Sequence, residues 1–428
     1  MKEKMKKSLL WLAVCMFSVL LVASFSLAGC KAGEPEVIIE TVIETVTETV
    51  EVKVTEEDPY PWVAVDEWIF PSSNIITGVS AYHGMLNEFG ANIALEEINS
   101  SGGIAGKPAF VKWFDEGTQD ATRAVQAMSA MLDMDPLVVL GPCSDVSAKA
   151  AVPMCVEEGV YSLCTLSGYA EAREFTPWTS MFITDPSKMA IPPVKEFIDL
   201  NPGMEKIVHF IASESATWMF MADSEDSACE EKGVEVVRID VPYDTVDYGS
   251  FAIKALAENP DGFIFTSHPE GIAKIIIALQ DRGWDNNNAM LLSQAAPVPD
   301  LWTIGEGHLE GVYCWMWYDV NSDSPKWQNI VEEHQKSFGE PATFMMVWKG
   351  YDELYMMKDA IETLKITGDP AKLAEERIAI RDYLNDLKDF DGVFGPVDFT
   401  DGVRENAILL FKIENNVLSN KVELEPLL

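Results

Sequence analysis

The feature that most constrains the fold is an alternation of short apolar runs with helix-type segments, which begins near Trp62. In the first series, the runs "PLVVLG" and "VYSLCTLS" flank the helix-like segment "SDVSAKAAVPMCVEEG". The alternation resumes with "EKIVHFIAS", "VEVVRIDVP" and "DGFIFTS", and a helical pattern follows each of them. Apolar strands that alternate with helices are typical of a parallel α/β sheet. The two series therefore predict two α/β lobes.

The C-terminal third has a different organisation. Two helical patterns, "WQNIVEEHQKSFG" and "MVWKGYDELYMMKDAIETL", precede the hairpin-like strands "FGPVDFTDG" and "NAILLFKIENNVL". A chain of 428 residues is long enough for two or more domains and a sizeable core. The strand-rich end predicts that the chain passes between the lobes several times.

The N-terminus has the pattern of a lipoprotein signal peptide. A basic "MKEKMKK" precedes a long apolar stretch, and "SLAGC" ends at Cys30. We interpret residues 1–29 as a signal peptide that is removed, leaving an acylated Cys30 on the outer face of a membrane. The alternative is an uncleaved anchor helix, because the apolar stretch is just long enough to span a bilayer. Both readings place the remainder of the chain outside.

Residues 30–60 join this anchor to the body. Residues 31–58 are acidic and of low complexity, with Glu-Thr-Val repeats and no aromatic residue. Such a composition predicts a flexible tether. The Val and Thr content leaves a strand or a short helical association as the alternative.

Charge and motifs exclude several function classes. The formal net charge of −38 argues against nucleic acid as a partner, because such a field repels phosphates. The sequence has no GxSxG, HExxH or GxxxxGK(S/T) motif.

His209 lies in an apolar run and is predicted to be a core residue. Of the five histidines, only His83 and His268 could meet in a cleft, so no metal or cofactor is predicted.

Five cysteines follow Cys30, and an odd number cannot all pair. Cys143 and Cys164 lie near the ends of successive predicted strands, so a disulfide between them stays open. Buried thiols are the alternative.

The segment "LVVLGPCSDVSAKAAVP", Leu137 to Pro153, predicts a strand, a tight turn and a helix N-terminus. Ligands of open parallel sheets bind beyond the carboxyl ends of the strands, and the N–H groups of a helix N-terminus attract an anion. We therefore expect the carboxylate group of a ligand to bind at Ser144. The alternative is that Ser144 or Asp145 only caps the helix.

Several segments carry a resemblance to a known family. They include "GANIALEEINSSGGIAGKP", "LGPCSDVSAKAAVPMCVEEGV", "DGFIFTSHPEGIAKIIIALQDRG" and "FDGVFGPVDFTDG". In this order, behind the Cys30 motif, the chain resembles the periplasmic solute-binding proteins of ABC importers, of the branched-chain amino-acid (leucine-binding) type. The resemblance covers nearly the whole mature body. It implies the type I periplasmic binding protein fold, with two Rossmann-like lobes joined by three hinge crossovers.

The resemblance also implies a domain division. Lobe 1 would comprise residues 61–184 and 318–408, and lobe 2 residues 185–317 and 409–428. The three crossovers would lie near Thr184–Asp185, Trp315–Tyr318 and Leu409–Phe411.

The family's ligand contacts can be carried over position by position. Contacts from both lobes would then line the cleft: Ser144, Asp145 and Ser147 after the first turn, Leu166 and Ser167 after the next strand, and Tyr82 or His83, Trp218, His268, Gln294 and Trp348. For each aromatic residue, packing in the core is the alternative.

Three positions depart from the family pattern. Asp145 stands where the family has Ser or another small residue, and Gly168 stands where a ligand-binding Thr is expected. Gln294 replaces the Glu that binds the ligand's ammonium group, and a neutral amide cannot form that charge pair. Either Asp185 or Glu214 takes this role, or the ligand is not a zwitterionic amino acid. Aliphatic amino acids, amides and aromatic acids all stay open as ligands.

The expected function is that of a lipid-anchored substrate-binding protein, monomeric and without enzyme activity. It would bind a small solute and deliver it to an ABC permease. A ligand-sensing receptor of the same fold, of the amide or urea type, is one alternative. An extracellular hydrolase is another.

Overall fold

The computed structural model describes residues 59–78, 80–164, 174–182, 184, 186–242, 244–293, 299–339 and 345–424. Tyr60–Leu428 forms one compact unit. The strands are β1 Trp68–Asn74, β2 Ala109–Asp115, β3 Val138–Leu140, β4 Tyr161–Cys164, β5 Thr179–Met181, β6 Lys206–Ile211, β7 Glu235–Asp240, β8 Gly262–Thr266, β9 Met290–Leu292, β10 Tyr313–Met316, β11 Phe390–Gly392, β12 Gly395–Val397, β13 Phe399–Thr400, β14 Val403–Arg404, β15 Ile408–Glu414 and β16 Val417–Leu424. The helices are α1 Ala81–Ser100, α2 Ala121–Leu132, α3 Asp145–Glu158, α4 Pro186–Leu200, α5 Ala216–Glu231, α6 Tyr248–Ala257, α7 Pro269–Gln280, α8 Pro299–Ile304, α9 Pro325–Phe338, α10 Met345–Leu364 and α11 Leu373–Asn385.

The strands form two main sheets, which define lobe 1 and lobe 2. The sheet of lobe 1 has the order β13-β14-β5-β4-β3-β1-β2, and that of lobe 2 has the order β16-β15-β10-β9-β8-β6-β7. Strands β1 to β5 pair in parallel, as do β6 to β10, and β14 pairs with β5 in parallel as well. The pairs β13–β14, β10–β15 and β15–β16 are antiparallel. The predicted pair of α/β lobes with the type I periplasmic binding protein architecture is confirmed.

Among the described strands, the chain passes between the sheets three times. These passages lie between β5 and β6, between β10 and β13, and between β14 and β15. The exact lobe boundaries given above stay a prediction.

Burial explains why the central strands read as continuous apolar runs. Every residue of β3 and β8 is buried, as expected for parallel strands that are covered on both faces. Helix α3 is preceded by its N-cap Ser144 and followed by its C-cap Gly159, which adopts the left-handed conformation with φ 61°.

Helices α1 and α10 of lobe 1 pack with their backbones in direct contact. A Cβ placed on Gly90 would lie 1.7 Å from the carbonyl oxygen of Val347, and one on Gly350 would lie 2.2 Å from that of Asn87. Only glycine permits this approach. This contact fixes α1 against α10. The first turn of α1 contains Tyr82 and His83, two of the predicted ligand-binding residues.

The same helix pair buries a charged group. Lys349 is fully buried, and its Nζ donates to Asn87 Oδ1 at 2.9 Å and to Glu353 Oε2 at 3.0 Å. Burial raises the pKa of Glu353 to about 7, although the Lys349 ammonium opposes the shift.

His209 is fully buried in lobe 2, as its apolar run predicted. Its Nδ1 lies 2.6 Å from Asp226 Oδ1, and its Nε2 lies 3.2 Å from Glu225 Oε2. Burial alone would lower the pKa of His209, but hydrogen bonds and charge from Asp226 and Glu225 outweigh it and raise the pKa to about 9. Trp315 of β10 donates its Nε1–H to Glu225 Oε1 at 3.2 Å, which ties this strand to the cluster.

Cys143, Cys155, Cys229 and Cys314 are buried. The side chain of Cys164 lies outside the described residues, so its pairing with Cys143 stays open. Within the described ranges, no helix combines the length and the apolar character needed to cross a membrane.

Candidate functional site

The carboxyl ends of the lobe 1 strands lead directly into helix starts. Asn74 ends β1 before α1, Asp115 ends β2 before α2, and Leu140 ends β3 before α3. Because the pairing of β1 with β2 and with β3 is parallel, these ends lie at one edge of the sheet. This is the edge at which open α/β sheets bind ligands.

Ser144 and Ser147 hydrogen-bond to each other at the start of α3. The Ser147 N–H donates to Ser144 Oγ at 3.2 Å, and the two hydroxyls hydrogen-bond at 2.8 Å. Both side chains are buried. The capping role of Ser144 is therefore present, and a ligand role for either serine stays a prediction.

Glu116 is the residue that sequence reasoning missed. Its side chain is fully buried and lies against the first turn of α3. The carboxylate accepts from the N–H of Cys143 at 3.0 Å and of Ser144 at 3.0 Å, and from Ser73 Oγ at 2.6 Å. Burial raises the pKa of Glu116, whereas these donors and Ser147 oppose the shift. The chain's own carboxylate thus occupies N–H groups that a ligand anion would use.

Asp145 contributes a second carboxylate to the same turn. It is 5% exposed, and its Oδ1 accepts from the N–H of Val146 at 3.1 Å. The N–H of Ala148 donates to the carbonyl of Ser144 at 2.8 Å. Together with Glu116, these contacts provide acceptors within the chain for the N–H groups of residues 143, 144, 146, 147 and 148.

Tyr82 and His83 lie in the first turn of α1, at the same edge of lobe 1. Asn74 Nδ2 donates to the carbonyl of Gly84 at 2.9 Å, and a Cβ on Gly84 would lie 2.0 Å from the carbonyl oxygen of Ile75. The start of α1 is thereby held against the end of β1. Both aromatic side chains are partly buried. Burial lowers the pKa of His83 to about 4, so its ring is neutral at pH 7.

His268 lies at the corresponding edge of lobe 2, where it precedes α7. Its Nδ1 is 3.3 Å from Ser267 Oγ, and its Nε2 is 3.4 Å from the Tyr248 hydroxyl. Burial lowers the pKa of His268, while the nearby carboxylates of Glu270 and Glu214 oppose the shift. Glu214 is exposed and follows β6, so an acidic group lies close to His268.

Trp218 lies in the first turn of α5 and is partly buried. Its N–H donates to the hydroxyl of Ser215, the N-cap residue, at 3.3 Å. The indole is thus carried by a helix that starts after β6, on the same side of lobe 2 as His268.

Trp348 lies elsewhere, in an aromatic cluster near the passages between the sheets. It is fully buried, with its ring centroid 5.5 Å from those of Trp317 and Phe394. The guanidinium carbon of Arg404 lies 4.6 Å from the Trp348 ring centroid, and Arg404 Nη1 donates to Asp352 Oδ2 at 2.9 Å. Helix periodicity could not show that this indole faces inward.

A cavity of about 590 Å³ adjoins this cluster. Its wall includes Tyr318, Phe394 and Lys421, and the Lys421 ammonium pairs with Asp319 at 2.6 Å. Of the predicted cleft residues that the structure describes, Trp348 alone lines this cavity.

Some predicted residues lie outside the described part of the chain. They are Cys30, Leu166, Ser167, Gly168, Asp185 and Gln294. Among the described residues, no group of three or more His, Cys, Asp or Glu side chains is arranged to hold a metal ion. The described groups offer aromatic surfaces, neutral imidazoles and carboxylates at the carboxyl ends of both sheets, which suits the binding of a small polar molecule.

Comparisons with known proteins agree with this geometry. A family model of periplasmic binding proteins matches residues 73–417. The leucine-binding protein LivK from Thermotoga maritima is similar in structure, with a TM-score of 0.69 and 21% identity, over 84% of this chain and 99% of that chain. LivJ from Streptococcus pneumoniae, solved with isoleucine, has a TM-score of 0.71 and 17% identity, over 84% and 100% of the two chains.

A solute-binding protein of an ABC transporter from R. palustris, solved with 4-hydroxybenzoate, has a TM-score of 0.69 and 18% identity, over 84% of this chain and 97% of that chain. Among curated protein sequences, none gives a significant match.

Proposed function

Because this chain belongs to the periplasmic binding protein family, we propose that it is the extracytoplasmic substrate-binding lipoprotein of an ABC importer. In this proposal it binds a small organic solute between its lobes and delivers the solute to a membrane permease. It acts by binding, without transforming the ligand.

The observation that carries the proposal is the family match over residues 73–417. In both sheets, helices begin after the carboxyl ends of the strands, and aromatic and histidine side chains lie at or beside these helix starts. Tyr82 and His83 lie at this edge of lobe 1, and Trp218 and His268 lie at that of lobe 2. Similar structures were solved with isoleucine and with 4-hydroxybenzoate, which are both small organic solutes.

Ligand capture would proceed by closure of the two lobes. The three passages between the sheets provide the hinge, since only these segments need to change backbone conformation when rigid lobes rotate. The ligand favours the closed state by the difference in its affinity for the two states. A solute that contacts both lobes supplies such a difference.

Anchoring would depend on Cys30 and on the acidic segment after it. An acylated Cys30 would hold the protein on the outer membrane face, and the segment up to residue 60 would let the body reach a permease. Membrane fractionation of the full chain and of Cys30→Ser tests this part. We expect the full chain in the membrane fraction and a clear shift of the processed variant to the soluble fraction. Equal fractionation of the wild type and of a Cys30→Ser protein that has lost residues 1–29 would contradict lipid anchoring.

A thermal-shift screen of residues 31–428 tests the binding function. The panel comprises aliphatic amino acids, their amides and amines, and aromatic acids and amines. A ligand at 100 times its Kd stabilises the folded state by about 2.7 kcal/mol, so one ligand class should raise Tm by several degrees. A folded protein whose Tm stays constant across the whole panel would contradict the proposal.

A further inference from the structure

The first and third passages between the lobes lie side by side and are hydrogen-bonded to each other. The first passage follows β5 and contains Thr184, and the third follows β14 and comprises residues 405–407. Thr184 Oγ1 donates to the carbonyl of Arg404 at 2.8 Å, and the N–H of Asn406 donates to Thr184 Oγ1 at 2.9 Å. One hydroxyl therefore joins the two passages at the point where both leave lobe 1.

The side chain of Asn406 strengthens this connection. Asn406 is 8% exposed, and its Nδ2 donates to Thr184 Oγ1 at 3.2 Å and to the carbonyl of Phe182 at 3.3 Å. A buried amide without partners costs free energy, so these bonds favour one position of the side chain. We refer to the hydrogen bonds of Thr184 and Asn406 as the passage clasp.

The passage clasp is attached to lobe 1. Its carbonyl acceptors belong to Phe182 and Arg404, whose side chains are buried beside Trp348. Arg404 also pairs with the buried Asp352 of α10 at 2.9 Å. Breaking a buried ion pair is strongly destabilising. We therefore expect the passage clasp to move with lobe 1 when the lobes rotate.

On the lobe 2 side, the third passage is held again from Ile408 onward. Ile408 is buried and pairs with Leu424 in the antiparallel ladder of β15 and β16. Ala407, which lies between Asn406 and Ile408, is exposed. A change in the backbone conformation of Ala407 would leave both the passage clasp and the ladder intact. Rotation in this passage is thereby directed to Ala407.

Resting on the proposed function, we infer that Thr184 and Asn406 are positioning residues for ligand capture, because the passage clasp makes the first and third passages move as one unit with lobe 1. Without the clasp, the two passages would bend independently, and the unliganded protein would adopt a wider range of lobe orientations. Closure around a solute would then cost more conformational entropy. The apparent affinity would fall, since a smaller fraction of the protein is competent to bind.

Double electron–electron resonance on unliganded residues 31–428 measures the range of lobe orientations. Spin labels are attached through a keto amino acid introduced at Gln126 of α2 and at Ser227 of α5, which are exposed positions of lobe 1 and lobe 2. Thr184→Val removes the hydroxyl and nearly preserves the shape, and Asn406→Ala removes the amide. We expect each variant to broaden the interlobe distance distribution by at least about twofold.

Two controls distinguish the passage clasp from a general loss of stability. Thr184→Ser keeps the hydroxyl and should retain the wild-type width. Ser162→Ala removes a buried hydroxyl that donates to the carbonyl of Gly141 at 2.7 Å within lobe 1. This variant should lower the stability and leave the width unchanged. Thermal unfolding shows whether each variant is folded.

Titration calorimetry then connects the passage clasp to ligand capture. The ligand is the strongest binder from the thermal-shift panel. We expect Thr184→Val to bind it about three- to tenfold more weakly than Thr184→Ser does. Equal affinity of these two variants would contradict a role in ligand capture.

The outcomes separate the inference from the proposed function. If Thr184→Val and Asn406→Ala retain the wild-type distance distribution, or if Ser162→Ala broadens it as much, the inference is wrong and the binding function stands. If the folded wild-type protein binds no member of the panel, the proposed function fails. The distance distributions still decide in that case whether the passage clasp restricts the lobes.

Discussion

The carboxylate of Glu116 lies 3.0 Å from the backbone nitrogen of Ser144 and accepts its hydrogen bond. The two residues follow different strands, β2 and β3, which do not pair with each other. Strand β1 lies between them, and its Ser73 also donates to Glu116. One buried carboxylate thus joins the carboxyl ends of three strands to the start of α3.

Removal of this carboxylate should destabilise lobe 1. Glu116→Ala leaves the buried N–H groups of Cys143 and Ser144 without their acceptor, and each unsatisfied buried donor costs about 1–3 kcal/mol. We expect a loss of at least about 2 kcal/mol in the free energy of unfolding, measured by urea denaturation. Glu116→Gln, which keeps an acceptor oxygen, should lose less. Equal stability of wild type and Glu116→Ala would show that these contacts contribute little.

The contact between α1 and α10 makes Gly90 sensitive to substitution. Gly90→Ala places a methyl group 1.7 Å from the carbonyl oxygen of Val347, so the helices must move apart. We expect a loss of about 2–4 kcal/mol in stability by thermal or urea unfolding. Glu96→Ala, at an exposed position of the same helix, is the control and should change stability by less than about 0.5 kcal/mol. A tolerated Gly90→Ala would contradict the close packing.

The buried pair of Lys349 and Glu353 predicts a non-additive effect. Lys349→Met leaves the buried Glu353 without its cation, which should cost about 3–5 kcal/mol at pH 8. The double variant Lys349→Met/Glu353→Leu removes both charges and should recover much of this loss. Urea unfolding of Lys349→Met, of Glu353→Leu and of the double variant measures the departure from additivity. Additive losses would argue against a direct interaction in the buried site.

The His209 cluster predicts a pH dependence of stability. The pKa of His209 is about 9 in the folded protein, against an ordinary value of 6.5. The folded state therefore binds the proton more tightly, and its extra stability is fully present below pH 6.5 and is lost as pH rises toward 9.

The pH profile of unfolding free energy between pH 6.5 and 9.5 measures this contribution, which is on the order of a few kcal/mol. The profile of His209→Gln should fall less steeply than that of the wild type, and Asp226→Asn should also flatten it. If wild type and His209→Gln give parallel profiles, the assigned proton does not reside on His209.

The sequence predicted the α/β architecture because apolar periodicity follows directly from burial of the strands. It did not predict the role of Glu116. This residue is adjacent to α3 only because the sheet order places β1 between β2 and β3, and strand order has no local signature. The sequence left Asp145 open as a cap of α3, and in the structure its carboxylate accepts from one N–H of the first turn while Glu116 accepts from two others.

Trp348 shows a second limit of the sequence. The helical pattern around Trp348 is compatible with an indole that lines the cleft and with one that packs in the core. In the structure the indole packs among Trp317, Phe394 and Arg404. The burial of a helical side chain depends on which elements pack around the helix. Hydrophobic periodicity does not predict this burial when most of the helix is apolar.

Binding of one solute by both lobes is the central claim, and titration calorimetry with single variants from each lobe tests it most directly. The ligand is the strongest binder from the thermal-shift panel, and the variants are Tyr82→Ala in lobe 1 and Trp218→Ala in lobe 2. We predict one site per chain in the wild type and at least about tenfold weaker binding in each folded variant. Unchanged affinity in both variants, or no binding by the folded wild-type protein, would contradict the account.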